Sequence, residues 1–195
     1  PNSVYAIDLD QDGDMDVLST SYNTSWHENY IPGPTDVSGV ISSNTTWGAL
    51  SSPYIVTGNV MVNEGVTLTI QPGVEVKFDS DKSLQINGEL IAQGTNGNEI
   101  TFTSNESSPA VGDWGPLTFN DSSVDATFDG DGNYSSGSIF EYCIIEYGGG
   151  SSVDGAVEAA HALPFINYST IRPDRIHPAR WNGMIKYAKK HGYIS

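Results

Sequence analysis

Short segments of alternating apolar and polar residues fill the middle of the chain, between residues 50 and 150. Alternation with a period of two puts the apolar side chains on one face of a β-strand, whereas a helix repeats them every three or four residues. This stretch of sequence lacks the helical period, and Gly, Asn or Pro-Gly turns separate its segments. The segments are 54–56, 60–62, 66–70, 74–78, 84–86, 100–103, 117–119 and 139–145. The pattern predicts an all-β fold of many short strands.

The spacing of these strands distinguishes between all-β folds. The strand centres are Ile86, Phe102, Thr118, Cys143 and Ile166. The first two intervals are 16 residues each, the third contains a Ser/Asp/Gly-rich insertion at 121–137, and the last is 23 residues. A period of about 20 with weak similarity between units is typical of a solenoid, in which each coil buries its apolar face against its neighbours. A sandwich would need more Asn-Gly and Asp-Gly hairpin turns than this region contains.

Several turn-and-strand blocks resemble the opening coils of right-handed parallel β-helix proteins of the pectate-lyase-like superfold. These blocks are 58–60, 65–78, 90–95, 100–104 and 112–115. The resemblance spans roughly 54–171 and implies a right-handed parallel β-helix of about five coils at 51–171. It implies little about activity, because this superfold includes lyases, hydrolases, tailspikes, adhesins and inert surface repeats.

Five carboxylates are concentrated in nine residues near the start of the chain. They are Asp8, Asp10, Asp12, Asp14 and Asp16. Such close carboxylates repel one another unless a cation lies among them, and their alternation is how a short loop wraps oxygen ligands around a hard ion. Asp14 would supply its backbone carbonyl, the other four their side chains, and Gly13 permits the tight turn. The pattern predicts a Ca²⁺ site, because calcium accepts more ligands than magnesium. The alternative is a solvated acidic turn.

The flanks of this loop carry a second resemblance. Residues 6–10, 17–18 and 26–29 closely resemble an FG-GAP/VCBS-type repeat of extracellular β-propellers, in which the aspartate loop binds calcium between two strands of a blade. A single repeat is covered, so the resemblance implies that 1–30 is a remnant of a propeller whose other blades lay upstream. Segment 31–50, which contains Pro-Gly-Pro, is expected to be a linker followed by a first strand.

The charge of the chain is large and unevenly distributed. There are 24 acidic and 8 basic residues, which gives a net charge of −16. Residues 1–171 contain 2 bases and 23 acids, a net −21, whereas 172–195 contain 6 bases and 1 acid, a net +5. DNA and anionic membranes repel so acidic a body, so we expect no nucleic-acid partner. Apolar runs are too short to cross a membrane, and no membrane span is expected.

The basic tail 172–195 does not fit the coil pattern, because Pro173 and Pro178 interrupt strands. Residues 180–192 are predicted to form a short helix that ends at Gly192. Its apolar residues recur at intervals of three and four, and they are Trp181, Met184, Ile185 and Ala188. Three interpretations remain open: a cap on the open end of the solenoid, a flexible or foreign tail, and a ligand-binding helix.

Catalytic chemistry has few candidates in this sequence. The resemblance implies that a lyase would use an Arg or Lys as base, and before residue 172 the chain offers only Lys77 and Lys82. Hydrolases need clustered carboxylates, whereas Glu141 and Glu146 have opposite parity in one strand and are expected on different faces. Cys143 lacks a basic neighbour and is expected to be a small buried hydrophobe. We therefore assign no catalytic residue.

A second acidic loop is possible at 121–137. Asp125, Asp129 and Asp131 lie there among glycines, and calcium binding or plain solvation would explain them equally well.

Four aromatic residues are candidates for contact with sugar rings, namely Trp114, Tyr134, Tyr142 and Tyr147. The alternative is that they belong to core or surface stacks.

The favoured function is non-catalytic. We expect a calcium-binding β-helix module of a secreted or cell-surface protein, for adhesion or for contact with a polysaccharide or another surface protein. Because the chain opens at Pro1, within a motif, we expect a fragment that lacks its own signal peptide. The alternative is a polysaccharide lyase or glycoside hydrolase of the pectate-lyase-like superfold, and a third possibility is a trimeric tailspike or adhesin. The oligomeric state is left open.

Overall fold

The computed structural model describes residues 3–7, 16–20, 24–27, 33–150, 155–159 and 161–172. The chain divides into two compact units, Pro1–Gly33 and Pro34–Ser195. The aspartates at positions 8, 10, 12 and 14 and the predicted helix at 180–192 lie outside the described residues. The part that the structure describes contains no helix long and apolar enough to span a membrane.

The first unit contains a three-stranded antiparallel sheet in the order β1-β2-β3. Its strands are β1 (Ser3–Ile7), β2 (Asp16–Thr20) and β3 (Thr24–His27). Ile7 pairs with Asp16 at one end of the sheet, so residues 8–15 connect two paired strand ends.

The regular secondary structure described in the second unit consists almost entirely of short strands. They are β4 (Thr35–Ile41), β5 (Thr45–Trp47), β6 (Tyr54–Val62), β7 (Thr67–Ile70), β8 (Glu75–Phe78), β9 (Leu84–Ile86), β10 (Glu89–Gln93), β11 (Ile100–Ser104), β12 (Leu117–Phe119), β13 (Thr127–Phe128), β14 (Tyr134–Ser136), β15 (Ile139–Glu141), β16 (Cys143–Ile145), β17 (Val157–Ala159), β18 (Phe165–Asn167) and β19 (Thr170–Ile171). The described residues also include one turn of 3₁₀ helix at Ala49–Ser51.

Parallel pairing arranges all of these strands except β13 and β14 in three ladders. The first ladder joins the start of β4 and of β6 to β8, β11, β16 and β19. The second joins the ends of β4 and β6 to β9, β12 and β17. The third runs from β5 through β7, β10 and β15 to β18. Because the chain visits the ladders in rotation and every pairing within them is parallel, the unit is a parallel β-helix, as the sequence predicts.

The length of one coil differs from the predicted spacing. Val56 pairs with Phe78 and Ile70 pairs with Ala92, so these coils are offset by 22 residues, close to the predicted period of about 20 but longer than the two 16-residue intervals between strand centres. The interval between Ile86 and Phe102 is wrong as a repeat, because Ile86 belongs to the second ladder and Phe102 to the first. Alternation locates strands in a sequence but does not assign them to a face of the coil.

Two strand boundaries also differ from expectation. Segment 31–50 was expected to contain a linker and one first strand, and its described part contains two strands, β4 and β5, which pair with β6 and β7. The segment 139–145 is two strands, β15 and β16, separated by Tyr142. Tyr142 has a φ of 48°, a left-handed conformation in which the chain turns from the third ladder into the first.

The core lies between the ladders and consists of the inward-facing side chains of successive coils. Phe140 is completely buried and meets two other rings edge to face, Phe102 at 5.7 Å and Phe119 at 5.6 Å between centroids. Phe78 and Trp114 stack with centroids 4.2 Å apart. Burying a large apolar side chain contributes about 1.5–3 kcal/mol, so these stacked rows supply much of the cohesion between coils.

A hairpin formed by β13 and β14 leaves the ladders and packs on the outside of the third one. Phe128 meets Phe165 edge to face at 5.1 Å, and Tyr134 lies parallel to Phe165 at 6.0 Å. The Asp125 carboxylate accepts a hydrogen bond of 2.8 Å from the Leu163 backbone N–H. The insertion predicted at 121–137 is therefore tied to the next coil.

Replacing Phe140 with alanine tests the packing of the core. We expect Phe140→Ala to lower the free energy of unfolding by about 3–5 kcal/mol, because it leaves a cavity between two rings. Leu50, which is 83% exposed, provides the control, and Leu50→Ala should change stability by less than about 0.5 kcal/mol. Urea denaturation measures both values. Equal effects of the two substitutions would contradict this core.

Candidate functional site

A row of three polar side chains crosses the coils at the end of the third ladder. Glu141 accepts a hydrogen bond on each carboxylate oxygen, from the Asn167 amide at 2.9 Å and from the Gln93 amide at 3.1 Å. The row follows from register, since Gln93 pairs with Glu141 and Glu141 pairs with Asn167. Each coil contributes one member, and the hydrogen bonds orient all three side chains. We call Gln93, Glu141 and Asn167 the polar row.

Two tyrosines lie beside the polar row, at the corner between the third and first ladders. The rings of Tyr142 and Tyr168 are stacked, with centroids 4.9 Å apart and an interplanar angle of 17°. Tyr168 is 71% exposed and Tyr142 is half-buried. We call Tyr142 and Tyr168 the tyrosine pair.

Both members of the tyrosine pair have left-handed backbones, with φ of 48° at Tyr142 and 45° at Tyr168. Residues other than glycine, asparagine and aspartate adopt this conformation at a cost of about 1–3 kcal/mol. In the preceding coil the equivalent position is Gly94, which directly follows Gln93 in sequence. A Cβ atom at position 94 would lie 2.6 Å from the carbonyl oxygen of Tyr142. Gly94 is required by this close approach, whereas nothing in the corner geometry requires a tyrosine at 142 or 168.

Tyr168 was not among the residues predicted to contact sugar. A signal was present, because the dipeptides Glu141-Tyr142 and Asn167-Tyr168 both place a tyrosine directly after a polar residue that ends a strand pattern. Without the register, that repetition cannot be distinguished from chance in a chain with 10 tyrosines.

The other aromatic candidates are engaged in packing or in hydrogen bonds within the protein. The prediction of glycan contact is wrong for Trp114, because its ring is completely buried against Phe78 and its indole N–H donates to the Glu146 carbonyl at 2.9 Å. Tyr147 is half-buried and packs against the core. Tyr134 donates its hydroxyl to the Gly137 carbonyl, and burial, followed by the charges of nearby glutamates, raises its pKa.

The acidic residues of the 121–137 insertion mostly serve the insertion itself. Asp125 bonds to the Leu163 backbone N–H, as described above. One oxygen of Asp129 accepts hydrogen bonds from the backbone N–H groups of Asp131 and Asn133, both at 2.9 Å, and hydrogen bonds from Asn133 above all lower the pKa of Asp129. Among the described residues, no group of three or more His, Cys, Asp or Glu side chains is arranged to hold a metal ion.

The cationic side chains of the described residues are few, and two of them form ion pairs. The Nζ atom of Lys77 lies 3.3 Å from Oε2 of Glu75, and Nη1 of Arg172 lies 3.0 Å from Oε2 of Glu146. Glu146 also accepts a hydrogen bond of 3.2 Å from the Thr103 hydroxyl. The Lys77–Glu75 contact lies within one strand, and the contacts of Glu146 join neighbouring coils. These charged side chains therefore have a structural role in the β-helix.

Two glutamates of the third ladder could form an acid pair only if their carboxylates approached each other. Glu89 is offset from Glu141 by one strand and four positions, because Ile91 pairs with Ile139. Their Cα atoms are therefore about 14 Å apart, from the usual strand spacing and rise per residue. Glycosidases place two carboxyl groups about 5–9.5 Å apart with both facing the substrate. Here Glu89 accepts a hydrogen bond of 2.8 Å from the Thr67 hydroxyl, and Glu141 accepts from Gln93 and Asn167, so both carboxylates are engaged within the ladder.

Comparison with known proteins agrees with this architecture. Residues 39–160 match the model of the pectate-lyase like beta helix domain. The chain belongs to this family. The match begins within β4, which is consistent with our placing segment 35–47 in the ladders rather than in a linker. Membership of the family establishes the β-helix and leaves the activity of the β-helix domain open.

One curated relative is similar over part of the chain. The chain is 39% identical over 66 residues to Protein bark beetle of Drosophila melanogaster. This segment is 34% of the chain and 2% of the relative, so the chain spans only a small part of the relative's length. No solved structure matches the chain.

Cys143 is a buried residue of the β-helix domain. It starts β16, is 1% exposed, and its thiol lies 3.4 Å from the Ala92 carbonyl. Burial raises the pKa of the thiol to about 12. The thiolate is the nucleophilic form, so this cysteine is suited to packing and not to catalysis.

The reactivity of Cys143 tests its burial. At pH 8 a thiol with a pKa of about 12 is roughly 10⁻⁴ ionised, so we expect no labelling by a disulfide reagent in the folded protein. Labelling should become complete in denaturing urea, where the pKa returns to the range of free cysteine. Mass spectrometry follows the added group. Rapid labelling without denaturant would contradict the buried position.

Proposed function

We propose that the chain is a non-catalytic module of a secreted or cell-surface protein. In this proposal a calcium-binding loop precedes a β-helix of about five right-handed coils, which contacts a polysaccharide or another surface protein. The non-catalytic assignment rests on one observation, namely that acidic side chains of the β-helix are hydrogen-bonded to other protein groups. In the described residues Glu141 and Glu146 bridge coils, and Asp113 accepts a hydrogen bond of 2.7 Å from buried Ser104. A catalytic acid or base would need its proton-transfer atoms directed at substrate.

The calcium site is proposed at Asp8, Asp10, Asp12, Asp14 and Asp16. Pairing of Ile7 with Asp16 supports it, because residues 8–15 then connect two adjacent antiparallel strands. Five carboxylates within nine residues of sequence repel one another, and that repulsion favours an ion among them. The resemblance to FG-GAP/VCBS repeats supports the same assignment.

Calcium removal tests the metal proposal. We expect one Ca²⁺ to bind per chain in isothermal titration, and chelation to lower the melting temperature of the N-terminal unit. At a calcium concentration 100-fold above the dissociation constant, binding contributes about 2.7 kcal/mol to stability. The double substitution Asp10→Asn/Asp12→Asn should abolish both effects.

A matched control comes from the insertion. Asp129→Asn/Asp131→Asn changes two aspartates of the other acidic loop, and it should retain one Ca²⁺ per chain. The proposal fails if wild type binds no calcium, or if Asp10→Asn/Asp12→Asn binds it as well as wild type does.

A second candidate function, compatible with the family, is that of a polysaccharide lyase or glycoside hydrolase. A lyase would need an available Lys or Arg, and the described residues offer Lys77, Lys82 and Arg172. Two of these three form ion pairs with glutamates. Incubation with polygalacturonate and with neutral glycans, followed by detection of unsaturated products and reducing ends, tests this function. Turnover of any of them would contradict the non-catalytic proposal.

A further inference from the structure

We propose that the tyrosine pair and the polar row together bind the sugar rings of a neutral glycan. This inference rests on the polysaccharide contact in the proposed function and names the site and the ligand class. The site combines the stacked rings of Tyr142 and Tyr168 with the hydrogen-bonded side chains of Gln93, Glu141 and Asn167.

The first argument is that the fold does not explain these tyrosines. Both occupy left-handed positions, where glycine or asparagine would be accommodated with less strain. In the two preceding coils, the chain passes from the third ladder to the first with glycine in this conformation, at Gly73 and Gly97. Strained residues that persist at one corner in consecutive coils indicate a role beyond the fold. Tyr168 is 71% exposed, so burial of its ring contributes little in return.

The second argument is the chemistry of an exposed aromatic ring. The face of a tyrosine ring carries partial negative charge. The C–H groups on one face of a pyranose ring carry partial positive charge, so the two faces attract each other while both exclude water. Tyrosine keeps its ring in place at a low entropic cost, since it has only two side-chain torsions. Stacking on Tyr142 restricts the ring of Tyr168 further.

The third argument is the position of the polar row. Its residues directly precede the corner, because Glu141 and Asn167 are the neighbours of Tyr142 and Tyr168 in sequence. Sugar hydroxyls both donate and accept, and carboxylate and amide oxygens accept more than one hydrogen bond each. The internal bonds of the row hold these oxygens in fixed positions. A ring stacked on the tyrosine pair would therefore find oriented acceptors beside it.

Charge decides which glycan fits. Residues 1–171 carry a net charge of −21, and Glu141 places one of these negative charges within the site. This charge would repel uronic acids and nucleic acids, whereas a neutral glycan experiences no electrostatic repulsion. The choice of ligand is therefore a neutral hexose or pentose polymer.

Isothermal titration of the full chain with defined hexasaccharides tests the inference. The neutral probes are cellohexaose, xylohexaose and mannohexaose, and the acidic probe is hexagalacturonate. We expect wild type to bind at least one neutral probe. Tyr168→Asn should weaken that binding at least tenfold, because it removes the ring while asparagine tolerates the left-handed backbone. Tyr168→Phe should stay within threefold of wild type.

Melting temperature separates a binding role from a structural one. Tyr168→Asn should melt at or above the wild-type temperature, because the substitution relieves backbone strain. Leu50→Ala, at another exposed apolar position, should change neither melting nor binding. Loss of binding together with loss of the folded state would count against the inference. Tyr168→Gly is a second ring deletion that suits the left-handed backbone, and we expect it to fold like wild type and to bind the neutral probe at least tenfold more weakly.

The outcomes distinguish this inference from the proposed function. Absence of binding to every neutral probe, or binding to hexagalacturonate alone, overturns the inference and leaves the calcium proposal to its own test. Unchanged binding of a neutral probe by Tyr168→Asn overturns the assignment of the site but retains the polysaccharide contact.

Discussion

Hydrogen bonds between the backbones of successive coils are the interaction on which the rest of the structure depends. Most strands of the β-helix have only three to five residues, too few to bury an apolar face or to be stable alone. Parallel pairing satisfies their backbone groups and places equivalent positions of consecutive coils next to each other, as with Ala92 and Phe140. Inward positions therefore form apolar rows. Outward positions form polar ones, of which Gln93, Glu141 and Asn167 are an example.

The same constraint leaves the corners free to vary. Ile70 pairs with Ala92 after a single compact coil, whereas the next step of that ladder, from Ala92 to Phe140, takes more than twice as much chain. The additional residues, including the β13–β14 hairpin, leave the coil at its corners without interrupting the ladder. A side chain at a corner does not have to continue a row, so corners can present residues for binding. We place the tyrosine pair in this group.

The fold class was predictable from the sequence, because a period of two is a direct physical property of a strand. The coil length was less predictable, because strands centred on Ile86 and Phe102 look alike but belong to different ladders. The break at Tyr142 carries neither glycine nor proline, so no local signal reveals it. Trp114 was a reasonable candidate for sugar contact, because the type of an aromatic residue does not reveal whether its ring points into or out of the coil. Its burial against Phe78 is visible only in the structure. The residues of the site are brought together by the register between coils, and the alternation of apolar and polar residues does not reveal that register.

Engineered disulfides measure that register directly. Thr46 and Thr69 are paired neighbours on the third ladder, and adjacent strands are about 4.8 Å apart, within the range of Cα separations that a disulfide bridges. Thr46→Cys/Thr69→Cys should form an intramolecular disulfide on mild oxidation, detected by mass spectrometry after digestion. The control Thr46→Cys/Gln85→Cys pairs the third ladder with the second and should not. A bridge in the control, or none in the paired variant, would contradict the stacking of the coils.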